Sequence, residues 1–560
     1  MSTVSGTGGE ILARSLVVQG ADHVFCVPGE SHLALLDGLY DEREKVRLIV
    51  CRHEAGAANM ADAYGKLTGR PGIALVTRGP GATHASVGIH TAFQDSTPVV
   101  LLIGQARRDF LDREAFQEID FRQMFGELSK WVAQIDDARR IPEYVSHAFH
   151  TAMSGRPGPV VLALPEDMLE EQAVAKGVSP AQRIAASPSQ EQMARLRAIL
   201  AGARRPIVLV GGSGWTAQAC DDLRRFAEAW QLPVTCAFRF QDAFDNGHPL
   251  YAGDVGIGIN PKLAQRIRDA DVALVFGARL GEITTSGYSL FEVPVPRQRL
   301  VHAHCGAEEL GRVYAAELPV NSGMVELAAA LARLQPETSP VWASESAAAR
   351  AEYLAWTTPV PIPGPVQLAE IVRSLRDRLP PDAIVANGAG NYTSWVHRFH
   401  QYRRFKTQLG PTSGAMGYGV PAAIAAKSLH PDRIVIAFAG DGCFLMTGQE
   451  LATAVRHRLA IVVIVVNNSQ YGTIRMHQER HYPGRVHGTA LVNPDFAAYA
   501  RAFGAHGELV QATAEFAPAF DRALAAGGPA LIEIRIPEEA ITPSTTLAAI
   551  RARSLEERGR

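Results

Sequence analysis

Gly440-Asp441-Gly442 follows an apolar run, IVIAFA, and precedes a helix-like stretch, QELATAVRH, so backbone N–H groups at this turn can face a phosphate. An acid at that turn would repel the phosphate. The conflict disappears if Asp441 holds a divalent cation against the phosphate oxygens, because Mg²⁺ takes about six hard oxygen ligands at roughly 2.1 Å and is seldom caged by protein alone. Asn468 is the natural second ligand, since it ends the next apolar run and neighbouring parallel strands deliver their C-terminal ends to one crevice. A backbone carbonyl near Gln470 is the expected third oxygen. Read singly, GDG and NNS are ordinary turns; it is their separation by one helix and one strand that makes them a site.

Those residues need a parallel sheet to hold them. Between residues 11 and 170, strand-like runs (HVFCV, GIALVT, PVVLLIG, PVVLAL) alternate with Ala-rich helical stretches such as Glu54–Thr68, the pattern of parallel α/β structure. A second block opens at PIVLVGGSG and continues through LPVTCAF and DVALVFGARLGE, and a third begins near residue 366. The expected architecture is α/β, with three doubly wound parallel-sheet domains at 1–172, 191–340 and 366–545. AVAKGVSPAQRIAASPSQ (173–190) and TTPVPIPGP (357–365) read as linkers, and the closing IRARSLEERGR as a solvated tail. The first and third blocks share a strand, glycine turn, helix and strand, which suggests two related domains with an insert between them.

Of the 560 residues, 47% are hydrophobic and 20% charged, enough apolar material for several cores and too little charge for a disordered chain. Lys plus Arg number 55 against 57 Asp plus Glu, and a net charge of -2 gives no reason to expect a nucleic-acid partner. The most apolar run, LAIVVIVV, is far short of the roughly 20 residues of a membrane helix, so it reads as a buried parallel strand and no membrane partner is expected. Scattered cysteines without a CxxC pair, and an N-terminal segment with neither a basic nor an apolar stretch, point to a reducing, cytoplasmic setting. The sequons at Asn391 and Asn467 then carry no weight.

Ordered along the chain, VPGE (27–30), RHEAGAANMADAYGKLTGRPG (52–72), GPGATH (79–84), DSTPVV (95–100), AFQE (115–118), SGRPGPV (154–160), GAMGYGVPAA (414–423) and GDGCF…NN resemble the thiamine diphosphate-dependent enzymes, and within them the acetolactate synthase-like branch. The resemblance covers nearly the whole chain. It implies three α/β domains that bind the cofactor's pyrimidine ring, serve as a central module, and bind its diphosphate with Mg²⁺. It implies that Glu54 contacts a pyrimidine ring nitrogen and drives the cofactor to the imino form that removes the thiazolium C2 proton, a task for a carboxyl group in an apolar pocket. Met416 matches the bulky apolar residue that props the cofactor in its bent form, and Gly414 beside it presents a backbone carbonyl to the pyrimidine amine. Asn391 and Tyr392 fall where relatives carry a polar pair touching the diphosphate, with Gly440, Gly442 and Cys443 of the GDGC run. Gln117 of AFQE, the second catalytic candidate, lines the substrate side with the Gly29–Glu30 turn, Pro28 and Gly29 are also expected to touch the cofactor, and Phe116 forms a wall. The implied activity is decarboxylation of a 2-oxo acid such as pyruvate with transfer of the two-carbon unit. The implied assembly is a homodimer or homotetramer in which different subunits hold the two ends of one cofactor.

The chain departs from the family pattern in three places. His477 stands where acetolactate synthases proper carry a Trp, so a smaller, more polar pocket is expected, and the chain ends without the apolar segment of the biosynthetic enzyme. Relatives with a structural FAD hold it in the central domain through a GAR-type motif and an acidic pair; Gly277-Ala278-Arg279 is compatible with a flavin, but the acidic pair is missing. Simple decarboxylases of the superfamily use neighbouring histidines, whereas here no His-His pair occurs and His84 and His90 stand apart, which favours carboligation. The alternatives are a lyase or decarboxylase of another 2-oxo or 2-hydroxy acid or its acyl-CoA, and a cofactor-binding protein without catalysis. Intact Glu54, Asp441 and Asn468 speak against the last.

Overall fold

The computed structural model describes residues 3–558, so Met1 and Ser2 of the N-terminal segment and Gly559 and Arg560 of the tail lie outside the described residues. Three six-stranded parallel sheets, flanked by helices, answer to the three α/β blocks. The first contains His23–Cys26, Arg47–Val50, Gly72–Val76, Val99–Gln105, Trp131–Gln134 and Pro159–Pro165; numbered along the chain, these lie side by side in the order 2-1-3-4-6-5. The last contains Ile384–Asn387, Gln408–Leu409, Val435–Gly440, Val462–Asn467, His506–Val510 and Ala530–Arg535 in the same order. The likeness of the outer blocks therefore extends to their complete sheet topology. The middle sheet, from Pro206–Val210 through Leu318–Asn321, has the order 3-2-1-4-5-6 of dinucleotide-binding sheets.

Burial explains the composition of the strands. Every residue of Val462–Asn467 is buried, because the strand pairs on both sides, with Ile436 opposite Val462 and Val462 opposite Ala530. A strand covered in this way gains nothing from alternation, and it reads as one apolar run.

The chain packs as two compact units. The first holds the chain up to Ile184 together with Pro411–Asp432 and Leu445–Ile461. Within it the helix Gly419–Leu429 packs on Glu54–Thr68, an Ala- and Gly-rich helix that is buried along almost its whole length. The second unit holds Ala185–Gly410, Arg433–Phe444 and the chain from Val462 onward, and its central sheet closes over a core that includes Trp215, Phe226, Trp230 and Phe276.

Two stretches differ from the sequence expectation. The first linker begins inside a strand, Gln172–Lys176, which pairs antiparallel with Thr3–Thr7; Ala175 faces inward while Gln172, Val174 and Lys176 stay exposed. The tail belongs to a helix, Leu547–Arg558, which past Arg551 is exposed apart from Ser554. Leu547 and Ile550 join Met476 and Ile541 in an apolar cluster, and Arg551 donates to both carboxylate oxygens of Glu479 at 2.8 and 2.5 Å. Among the described residues, no helix is long and apolar enough to cross a membrane.

Candidate active site

In the first unit, the strand Arg47–Val50 ends and the chain turns at His53 into the helix Glu54–Thr68. His53 is the N-cap: its backbone is extended and its Nδ1 accepts from the N–H of Ala55 at 3.1 Å. Glu54 is therefore the first helical residue, with its side chain only 12% exposed. The helix Gly79–Asp95 comes down beside it. His84 Nδ1 lies 2.9 Å from Glu54 Oε2, and a Cβ at Gly81, one turn earlier, would sit 3.4 Å from Glu54 Oε1 and 3.0 Å from Thr77 Cγ2. The imidazoles of His53 and His84 stack with centroids 4.4 Å apart. A histidine pair, His53 with His84, thus exists in space although none occurs in the sequence: a helix start and the second turn of a neighbouring helix converge on one carboxyl group. Burial, and then the neighbouring His84, hold His53 below the usual imidazole range.

A second carboxylate fixes this helix start from below. Glu450 is fully buried and accepts from the backbone N–H of Arg52 and His53 at 3.1 and 3.0 Å and from the Thr453 hydroxyl at 2.6 Å. Burial pushes its carboxyl from 4.5 up to about 6. The folded state then binds this proton more tightly than the unfolded chain, so about 2 kcal/mol of stability present below pH 4.5 is lost as the pH rises through about 6. Melting curves of Glu450→Gln and its parent at pH 4.5 and 7 should differ in this sense, with the variant showing the smaller fall.

The other expected residues of this unit sit on turns around the same sheet. Gln117 has φ +62° and its carbonyl accepts from the N–H of Gly79 at 3.0 Å, which ties the AFQE segment to the start of the helix bearing His84. Phe116 is 68% exposed. After Pro28, the N–H of Gly29 donates to His32 Nε2 at 3.1 Å, and Ser31 bonds Thr77 at 2.9 Å. The loop with Gly414 and Met416 is held at both ends. Thr412 donates its N–H to Asp95 at 2.9 Å, and Tyr418 donates to Asp62 at 2.7 Å, while Lys66 bridges Asp62 and Asp95.

In the second unit, Gly440 ends its strand and Asp441 enters a tight turn. Asp441 Oδ1 accepts from the N–H of Gly442 at 2.9 Å, and Oδ2 accepts from Asn493 Nδ2 at 2.8 Å. The same Asn493 amide donates to Asn467 Oδ1 at 3.0 Å, and backbone N–H groups of Ser469 and Gln470 also face Asp441. The GDG turn and the end of the next strand do meet. Burial pushes the Asp441 carboxyl above its ordinary range, against those hydrogen bonds. Asn468 is half-buried, with its amide against the start of the helix Gly472–His481; the Gln470 side chain turns away to donate to the Glu538 carbonyl at 2.9 Å. Asn391 accepts from Thr473 at 2.9 Å, and the Tyr392 hydroxyl lies 3.5 Å from Cys443 Sγ, so that pair borders the same turn. A Cβ at Gly442 would lie 2.5 Å from the Tyr471 ring, which is why only glycine serves there.

Asn493 was not expected from the sequence. Its signal is faint: VNPD is a turn, and Asp495 caps the following helix by accepting from the N–H of Ala498. Asn493 Oδ1 is buried and accepts no hydrogen bond from a described residue. The residue ties Asp441 to Asn467, and their carboxylate and amide oxygens are the hard donors that a Mg²⁺ bound to a diphosphate would take. His477 is exposed and stacks at 6.2 Å on His481.

The switch point of the central sheet lies between Pro206–Val210 and Val272–Phe276. Here the glycine turns pack on each other: a Cβ at Gly212 would meet the Gly277 carbonyl at 1.9 Å. Arg279 pairs with Glu309 at 3.2 Å, and Glu309 pairs with Arg312 at 2.9 Å.

Family models for the N-terminal binding domain, central domain and C-terminal binding domain of thiamine pyrophosphate enzymes match residues 6–124, 193–331 and 388–534, in the order of the three sheets. The chain belongs to the thiamine pyrophosphate (diphosphate) enzymes. Within that class it is similar to acetolactate synthase large subunits. It is 31% identical to isozyme 2 of Escherichia coli K12, over 98% of this chain and 99% of that one. It is 31% identical to the large subunit of Corynebacterium glutamicum (92% and 84% covered) and 34% identical to that of Parasynechococcus marenigrum (90% and 83%).

Proposed function

We propose that this protein is a thiamine diphosphate- and Mg²⁺-dependent enzyme that decarboxylates a 2-oxo acid of the pyruvate type and joins the remaining two-carbon unit to an acceptor. The observation that carries this reading is the pairing of two distinct sites in one three-domain member of the family. One is a shielded carboxyl at a helix start, Glu54, and the other is an oxygen-rich turn built on Asp441. When bound, the cofactor supplies an electron sink for the carbanion left by loss of carbon dioxide.

The chain's own residues supply the rest. Asp441 and Asn468, with a carbonyl near Gln470, hold the metal; Gly440, Gly442 and Cys443 let the backbone approach the diphosphate, and Asn391 and Tyr392 border it. Glu54 holds a proton at the pyrimidine ring nitrogen. Gly414 and Met416, on a loop anchored at Asp62 and Asp95, receive the pyrimidine amine and keep the cofactor bent. Gln117 and the Gly29–Glu30 turn orient the substrate and keep water away, and Pro28 and Gly29 touch the cofactor.

Incubation with pyruvate and a panel of other 2-oxo acids, with products read by NMR, tests the proposal. Acetolactate-type condensation products support it, and absence of carbon dioxide release from any of them would sink it. The stacked His53 and His84 favour one rival, a decarboxylase that releases the aldehyde, which the same spectra separate. A flavin phosphate at Arg279 would have to displace Glu309, and the visible absorbance of the purified protein reports whether one does.

The proposed assembly is at least a homodimer, since one isologous interface completes both cofactor sites. Sedimentation should give a particle of at least twice the 60.3 kDa chain. An active particle of single-chain mass excludes the shared site.

A further inference from the structure

We propose that His84 is the proton relay of Glu54, the group through which the buried carboxyl exchanges its proton with solvent; this rests on the reading of Glu54 as the acid that serves the pyrimidine ring. The two oxygens of Glu54 face different surroundings. Oε1 lies on the side of Gly81, where a Cβ would stand 3.4 Å from it, while Oε2 is 2.9 Å from His84 Nδ1. Gly81 and His84 are three residues apart on the helix Gly79–Asp95, so one helix face presents both the glycine and the imidazole to the same carboxyl group.

The exposures run in the direction a relay needs. The Glu54 side chain is 12% exposed and that of His84 51%. His53 cannot take the part, although its ring stacks on His84, because its Nδ1 is engaged in capping the helix through the N–H of Ala55. In the proposed step a hydronium ion gives a proton to His84 Nε2 and is left as water, while the Nδ1 proton passes to Glu54 Oε2. The imidazole is neutral before and after, and the carboxylate left when Glu54 gives up its proton is recharged. The reverse passage returns a proton to water.

Two variants and one labelling experiment test this. His84→Gln keeps a hydrogen-bonding group near Glu54 but relays no proton, and His84→Ala opens space for added imidazole. Both should bind thiamine diphosphate with parental affinity by calorimetry and exchange the C2 proton of bound cofactor with deuterium about 10²-fold more slowly, the lower range for acid–base groups. Imidazole in the buffer should restore exchange in His84→Ala. A His84→Gln variant as fast as its parent, or a slowed His84→Ala variant that imidazole does not restore, would show that His84 only orients Glu54 and would overturn the relay. In the cofactor-free parent, diethyl pyrocarbonate should label His84, as mapped by mass spectrometry. An unlabelled His84 means that no path from solvent reaches Nε2 and overturns the relay whether or not the variants fold. A parent that does not exchange C2 at all refutes the assignment of Glu54 itself, and the relay with it.

Discussion

Glu54→Gln is expected to bind thiamine diphosphate nearly as well as its parent and to lose about 10²–10⁴-fold in kcat, the range for removal of a general acid–base group. The amide preserves size and can still hydrogen-bond a ring nitrogen through one end. At the other end its carbonyl oxygen can accept from His84 Nδ1, which now lies 2.9 Å from Oε2, so the helix start and its N-cap at His53 need not move. What the amide cannot do is hold a transferable proton. The loss should therefore fall on kcat with little change in cofactor affinity or melting temperature, a split that separates chemistry from folding. A variant that instead loses cofactor affinity in proportion to kcat would make Glu54 a binding residue only.

Asp441→Ala and Asn468→Ala should each abolish holoenzyme formation, with cofactor affinity in the presence of Mg²⁺ falling more than about 100-fold, beyond the range for outer-shell partners. Asp441 is the one carboxylate of the proposed donor set, and it is buried; its loss leaves diphosphate charge uncompensated in a closed crevice. Asn493→Ala should weaken binding by the smaller 10–100-fold typical of groups that orient a ligand, because Asn493 ties Asp441 to Asn467 across two strand ends. Calorimetric titration with cofactor, with and without Mg²⁺, reads all three. Unchanged affinity in Asp441→Ala would remove the metal assignment.

What could be read from the residues was what repeats or alternates locally. Glu54–Thr68 is legible as a helix from its Ala-rich run, and Val462–Asn467 as a buried strand from unbroken β-branched residues. The meeting of Asp441 with the 467–470 turn follows from the strand, helix and strand between them. Contacts between distant segments left no such trace. Asn493 reaches Asp441 from an irregular stretch, and His84 meets His53 only because two helices start side by side. The assignment of Pro411–Asp432 and Leu445–Ile461 to the first unit depends on buried groups such as Glu450 and Tyr418, whose partners at Arg52 and Asp62 lie hundreds of residues away. The tail was legible in part. Its charges dominate the composition, but Leu547, Ile550 and Ser554 at helical spacing form the buried face, and Arg551 owes its place to Glu479.

Hydrogen–deuterium exchange at C2 of the bound cofactor, followed by quenching and NMR, isolates the step on which the account turns, because it precedes any carbon–carbon chemistry and needs no knowledge of the acceptor. The parent with Mg²⁺ should exchange far faster than free cofactor, and Glu54→Gln should fall back by about 10²-fold or more. Equal exchange in the two proteins would contradict the account at its centre and leave Glu54 as a structural residue at the start of its helix.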